Sequence, residues 1–151
     1  MARKIIYTRA DGGISIVSVP PQLDETAALD AAMARLPATA ISPAIVDESV
    51  VPTDRTFRNA WIKVSSTVVQ DMPKCRELWR AKLRELRAPK MEALDMAYLR
   101  ADETGDTTEK LRIAAQKQAL RDVTADPRIE AAQTPGALKA VIPDALKTLL
   151  P

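Results

Sequence analysis

The sequence of 151 residues contains no histidine and one cysteine, Cys75. Histidine is the most common general base and metal ligand, so its absence excludes a cysteine–histidine catalytic pair, and a zinc site is not expected. Glycine is also scarce, and no phosphate-binding loop or dinucleotide fingerprint can be assembled from Gly12, Gly13, Gly105 and Gly136. The composition therefore predicts no catalytic, cofactor-binding or metal-binding residues and argues against an enzyme.

The sequence also has no long apolar run and no strong excess of charge of one sign. Its 22 basic and 20 acidic residues give a net charge of +2, which by itself favours neither nucleic acid nor any other charged partner. No apolar run approaches the roughly 18 residues of a membrane span, and the first residues do not resemble a signal peptide. A single cysteine suits a reducing compartment. We therefore expect a soluble protein made in the cytosol, with no membrane contact.

The first 72 residues carry strand signals around one helix. Two β-rich runs, residues 3–9 and 14–19, flank an Asp-Gly-Gly turn and predict a β-hairpin. Asp24 can cap a helix that Pro37 closes, and a strand is expected around Ile45–Val51. The stretch WIKVSSTVVQDM predicts one further strand, interrupted at Ser65 and Ser66. Residues 1–72 are therefore expected to form a small α+β module.

The composition changes at Asp71, and the rest of the chain reads as helix. Apolar residues recur at spacings of three and four from Met72 to Leu86, and the pattern resumes with Met91, Leu94, Tyr98 and Leu99. Pro89 predicts a kink or break near Ala88, and Gly105 ends the pattern.

A second helix is predicted after Gly105. Asp106 and Glu109 have the spacing of a capping box, so a helix to about Val123 is expected. The short link between the two helices predicts an antiparallel helical hairpin, and the dipeptides Asp-Pro at 126 and Thr-Pro at 134 predict short helices after it. The fold class is therefore α+β. Residues 73–151 are expected to form a separable domain of a long helical hairpin and short C-terminal helices.

One face of the first long helix is strongly basic. Its arginines follow one another at spacings of four, four and three, which places them on one stripe beside the apolar one; they are Arg76, Arg80, Arg84 and Arg87. Three interpretations stay open: a solvated face whose arginine stems cover apolar surface, a contact with an acidic protein surface, or a grip on nucleic-acid phosphates. Nucleic acid is the least favoured, because no aromatic residues alternate with these arginines. Charge reversal at Arg80 and Arg84 is expected to spare stability.

Few aromatic residues are present, and two of them lie close together. Phe57 and Trp61 are four residues apart and would stack on one face of a single helical turn. A buried pair that anchors the core of the first module is favoured over an exposed anchor for a partner. Cys75 is expected to be a core thiol on the apolar stripe.

Five segments follow one another in this order: RKIIYTRADGG, DRTFRNAW, DMPKCRELWRAKLRELRAP, LDMAYLRADETGD and IAAQKQALRDVTADP. Together they resemble small bacteriophage and prophage proteins encoded beside tail-fibre genes, in particular the tail-fibre assembly and tail-assembly chaperone group. The resemblance implies a non-enzymatic tail-fibre helper that works by protein–protein contact. In the group, the arginine-rich helix typically has an aromatic-rich partner. In this chain that partner is reduced to Asp95 and Tyr98.

These observations lead to one functional hypothesis and one alternative. The hypothesis is an accessory or assembly protein that acts in the host cytoplasm and binds a tail fibre or another tail protein, either released afterwards or retained in the virion tail. A homo-oligomer is left open. The alternative is a small nucleic-acid-binding regulator that uses the basic helix face. The predicted partner-binding residues are Arg76, Arg80, Arg84, Arg87, Trp79 and Tyr98.

Overall fold

The computed structural model describes residues 2–21 and 24–149, and the chain divides into two compact units, Met1–Asp71 and Met72–Pro151. The mixed composition of strands near the N-terminus and helices after them confirms the α+β fold class.

The first unit is built on a three-stranded antiparallel sheet. Its strands are β1 (Arg3–Thr8), β2 (Ile14–Ser18) and β3 (Ile41–Asp47), arranged in the order β2-β1-β3. The predicted hairpin is confirmed, because β1 and β2 pair through a tight turn in which Gly12 has a positive φ of 79°. Strand β3 begins and ends earlier than expected, since residues 48–50 form a 3-10 turn rather than the end of a strand.

Both faces of the central strand β1 are covered. Successive side chains of a strand point to opposite faces, and Ile5 and Ile6 are both fully buried. Helix α1 (Glu25–Ala34) packs on β1, and its predicted cap is confirmed, because the Asp24 carboxylate accepts a hydrogen bond from the Ala27 amide.

The segment expected to be one interrupted strand is a second hairpin. Strands β4 (Trp61–Val64) and β5 (Thr67–Gln70) pair antiparallel in a separate two-stranded sheet. Ser65 has a positive φ of 54°, which turns the chain back on itself where the sequence suggested only an interruption. A cluster of buried side chains joins this hairpin to the larger sheet: Ile6, Ile14, Val46, Trp61 and Val68.

The second unit begins with a helix of 32 residues, α2 (Met72–Glu103). Of the kink or break expected near Ala88, the break is wrong, because the helix runs uninterrupted through Pro89. A proline in a helix removes one backbone hydrogen bond and crowds the preceding turn. Side-chain bonds hold the helix on both sides of it: Arg87 donates to the carbonyls of residues 120 and 121, and Lys90 donates to Ala145.

Helix α3 (Thr107–Asp122) returns beside α2, and the predicted antiparallel hairpin is confirmed. Gly105 has a φ of 68° and ends α2, and the Asp106 carboxylate caps α3 by accepting from the Glu109 amide. Ion pairs between the helices show the antiparallel order, since Asp95 pairs with Lys117 and Asp102 with Lys110.

Short segments follow the hairpin and pack on it. They are α4 (Pro127–Ala131) and α5 (Pro135–Lys139), which begin at the predicted Asp-Pro and Thr-Pro dipeptides, and 3-10 turns at residues 123–125 and 144–149. Each contributes one fully buried apolar side chain or more to the unit: Val123, Ile129, Leu138 and Leu146.

Candidate partner-binding surface

Three of the four arginines on the predicted basic face are bound within the second unit. Arg76 Nη2 donates to the Ala132 carbonyl at 2.9 Å, and Arg80 Nε donates to the Thr124 carbonyl at 3.2 Å. Arg87 Nη1 donates to the carbonyls of residues 120 and 121, both at 3.0 Å. Because these carbonyls lie at or after the end of α3, the arginines attach the C-terminal part of the unit to α2.

A carboxylate from α4 reinforces this attachment. Glu130 forms an ion pair with Arg80 and lies 3.9 Å from Arg76 Nε. The hydrogen bond from Arg80 lowers the pKa of Glu130 below the ordinary value of 4.5. The expectation that charge reversal at Arg80 spares stability therefore does not fit its contacts, since the reversal would face Glu130 with a second carboxylate.

Arg84 differs from its three neighbours. Its side chain is exposed, and it has no hydrogen bond or ion pair with any residue in the described ranges. Of the basic face proposed from the sequence, Arg84 is thus the arginine that remains available to an outside partner.

The two aromatic residues predicted to bind a partner are half-buried and engaged inside the unit. Trp79 Nε1 donates to the Val141 carbonyl at 3.0 Å. The ring of Tyr98 lies between two lysines of α3, with Lys110 Nζ and Lys117 Nζ each 5.6 Å from its centre. Such cation–π contacts stabilise the pairing of the two helices. The hydrogen bond that Lys110 donates to the Asp102 carboxylate raises the pKa of Lys110.

Apolar groups that face solvent are found elsewhere on the hairpin. Met96 and Leu99 of α2 are 52% and 55% exposed, and Leu111 of α3 is 68% exposed. A residue two positions along a helix is rotated by about 200°, so Met96 points away from the side on which Leu94 is buried. Leu99 lies three positions further on and shares the outward face with Met96. We call Met96 and Leu99 the outer apolar pair.

The sequence pattern did not single out this pair. The apolar pattern of the sequence includes Leu99 together with Met91, Leu94 and Tyr98, and it does not include Met96. In the structure, the buried positions Leu94 and Ala101 of α2 are seven residues apart. That spacing fixes the inward side of the helix and leaves Met96 and Leu99 on the other.

The other chemical features of the described residues are few. Cys75 is fully buried, as expected for a core thiol, and Phe57 and Trp61 are 2% and 1% exposed, which confirms that the aromatic pair is buried. Within residues 2–21 and 24–149, no group of three or more cysteine, aspartate or glutamate side chains is placed to hold a metal ion. In the same ranges, none of the helices is both long enough and apolar enough to cross a membrane.

Comparisons with protein-family models, with curated proteins and with solved structures gave no match to this chain. The resemblance to tail-fibre assembly proteins therefore depends on the sequence segments quoted above, and the candidate surface depends on the geometry of the hairpin.

Proposed function

We propose that this protein is a non-enzymatic accessory or assembly chaperone of a bacteriophage tail fibre, and that it binds its partner through the helical hairpin. The proposal combines the sequence resemblance with one structural observation, the exposed outer apolar pair Met96 and Leu99 on a helix of 32 residues. The protein acts in the host cytoplasm during assembly. It is then either released or kept as a component of the virion tail.

The outer apolar pair has the properties that such contact requires. A fibre chain exposes apolar surface and unpaired strand edges before it assembles, and a chaperone must cover them to prevent aggregation. Methionine is unbranched and flexible, so it adapts to irregular apolar surfaces. Leu111, which lies on α3, is a further exposed apolar side chain of the hairpin. Because the second half of α2 packs on α3 and leaves its outward face open, a partner can lie along the helix there.

The ion pairs of the hairpin give this surface a rigid support. Asp95 and Asp102 of α2 pair with Lys117 and Lys110 of α3, and Tyr98 lies between the two lysines. The outer apolar pair thus lies on a stretch of α2 that contacts α3 through Asp95, Tyr98 and Asp102. A fixed backbone lowers the entropy lost when a partner binds.

The alternative, a nucleic-acid-binding regulator that uses the basic face, has less support. Phosphate contact would require Arg76, Arg80 and Arg87 to leave the carbonyl and carboxylate groups that they bind within the unit. A salt titration of DNA binding distinguishes the two functions. Phosphate contacts give a steep decrease of affinity with salt, whereas the tail-fibre function predicts no appreciable DNA affinity at any salt concentration.

Co-expression tests the proposed function directly. The chain, with an affinity tag, is co-expressed with the proteins encoded by the neighbouring open reading frames, and the soluble fraction is purified on the tag. We expect a tail-fibre or other tail protein to be recovered with the chain, and its soluble yield to rise relative to expression without the chain. Recovery of the chain alone, with an unchanged yield of soluble fibre, would contradict the proposal.

A further inference from the structure

A cavity in the first unit lies between helix α1 and the sheet. Its volume is about 550 Å³, and its walls come from β1, from the end of β2 and from one side of α1. Small-molecule sites in proteins typically have volumes of about 300–1,000 Å³ and mostly apolar walls with a few polar groups. The cavity belongs to a part of the molecule that the proposed tail-fibre contact does not use.

Alanines on α1 create the space. Ala28, Ala31 and Ala32 line the cavity, and residues three and four positions apart lie on the same side of a helix. Larger side chains at these positions would fill the gap against Val17 of β2. The larger side chain of the neighbouring Leu29, in contrast, is packed in the interior, since it is 1% exposed. The walls near the alanines are therefore apolar and open.

Besides Ser18 of β2, two polar side chains line the cavity, and each of these two is without a partner in the described parts of the chain. They are Tyr7 of β1 and Arg35, the residue that follows α1. Neither side chain has a hydrogen bond or ion pair with another described residue. Arg35 is the one charged residue among the described residues that line the cavity. The cavity thus combines an apolar wall at the alanines and Val17 with the positive charge of Arg35.

We propose that this cavity binds a small monocarboxylate with a compact apolar body. The apolar body packs against Val17, Ala28 and Ala32. The carboxylate accepts hydrogen bonds from the Arg35 guanidinium, whose forked donors match the two oxygens of a carboxylate, and the Tyr7 hydroxyl supplies a further donor. The positive charge of Arg35 favours an anion, and the volume of about 550 Å³ beside the alanines suits a compact apolar body.

Titration of the full-length protein with 3-phenylpropionate, followed by NMR, tests this inference, and the uncharged 3-phenylpropionamide is the matched ligand control. We expect saturable shifts at the amides of Ala28 and Ala32, with a dissociation constant of about 1 mM, as is usual for a fragment-sized ligand. The amide should bind at least about tenfold more weakly, because it cannot form the charge-assisted pair with Arg35. Equal binding of acid and amide, or no saturable shift with the acid, would overturn the inference.

Two variants separate the charge from the cavity. Arg35→Gln removes the positive charge at an exposed position and should weaken binding of the acid about tenfold or more, whereas Arg58→Gln, at another exposed arginine of the same unit, should leave it unchanged. Ala32→Leu should abolish binding by filling the cavity. If Ala32→Leu fails to fold, the arginine pair still decides the matter, since unchanged binding in Arg35→Gln refutes the assigned site.

Discussion

Replacing Trp61 with alanine should remove the largest side chain from the core of the first unit. Trp61 is 1% exposed and packs in a cluster with Ile6, Ile14, Val46 and Val68. A buried tryptophan covers about 150–250 Å², which at about 25 cal/mol per Å² corresponds to roughly 4–6 kcal/mol as an upper limit. Losses of about 3–5 kcal/mol are typical of such truncations, and we expect Trp61→Ala to fall in that range.

Trp61→Phe should be much less harmful. The indole Nε1 is buried and has no hydrogen-bond partner within the described part of the chain. A buried donor without a partner costs about 1–3 kcal/mol, so its removal offsets part of the lost ring area. We expect Trp61→Phe to reduce the free energy of unfolding by less than half as much as Trp61→Ala.

Hydrogen exchange is the appropriate assay, because far-ultraviolet circular dichroism is dominated by the long helices of the second unit. The amides of Ile5 and Ile6 in β1 report on the first unit, and those of α2 serve as an internal reference. A loss of about 3–5 kcal/mol accelerates exchange limited by opening of the unit by roughly 10²- to 10⁴-fold. Val64→Ala, at a side chain that is 49% exposed, is the control. If Trp61→Ala and Val64→Ala accelerate exchange equally, Trp61 does not hold the core.

Three further predictions concern the second unit. In thermal melts, Gly105→Ala should destabilise the unit by about 1–2 kcal/mol, because Gly105 has a φ of 68° that a Cβ disfavours. Gly136→Ala is the control, since the new methyl group has open space around it, and it should be neutral or slightly stabilising. Arg80→Ala should lower the free energy of unfolding by about 1 kcal/mol, because the hydrogen bond to the Thr124 carbonyl is lost. Arg84→Ala, at an exposed position, should change this free energy by no more than about 0.5 kcal/mol. Equal midpoints of urea unfolding for the two variants would contradict this prediction. The hydrogen bond from Arg80 lowers the pKa of Glu130 in the folded state. The pair therefore contributes to the free energy of unfolding above the ordinary pKa of 4.5, and this contribution is lost as the pH falls through the lowered pKa of the folded state. Unfolding midpoints between pH 7 and pH 3 should therefore fall less steeply for Glu130→Gln than for the unchanged protein, and parallel curves would refute the role of this pair.

Features determined by neighbouring residues could be predicted from the sequence. The caps at Asp24 and Asp106 and the short helices that begin at Pro127 and Pro135 each depend on two or three adjacent residues, and the structure contains all of them. The hairpin turn around Gly12 belongs to the same group. Such signals are local, so their meaning does not depend on the rest of the fold.

Features determined by distant residues could not be predicted in the same way. The helix continues through Pro89, and side chains on either side of it bind carbonyls 33–55 residues further along the chain. The interactions of Arg76 and Arg80 have the same origin, since their partners lie 44–56 residues away. A helical stripe of arginines therefore indicates a face, and tertiary contacts decide whether that face is free.

The turn at Ser65 has no clear signal in the sequence, although it is formed by neighbouring residues. A serine with a positive φ is uncommon, so the pair Ser65 and Ser66 appeared as a weak point in one strand rather than as the turn between β4 and β5. The cavity beside Ala28 and Ala32 also left no sequence signal, because alanines on a helix usually indicate close packing.

The most direct test of the proposed function is the affinity of the outer apolar pair for the recovered partner. The double variant Met96→Lys with Leu99→Lys should weaken binding about 30-fold or more, since loss of an interface hot spot costs about 2 kcal/mol or more. The double variant Ala81→Lys with Ala88→Lys adds the same charge at exposed positions nearer the start of the same helix, about 12–22 Å from Met96 along the helix axis, and should bind as the unchanged protein does. Equal affinity of the two variants, with both folded, would contradict the assignment of this surface to partner binding.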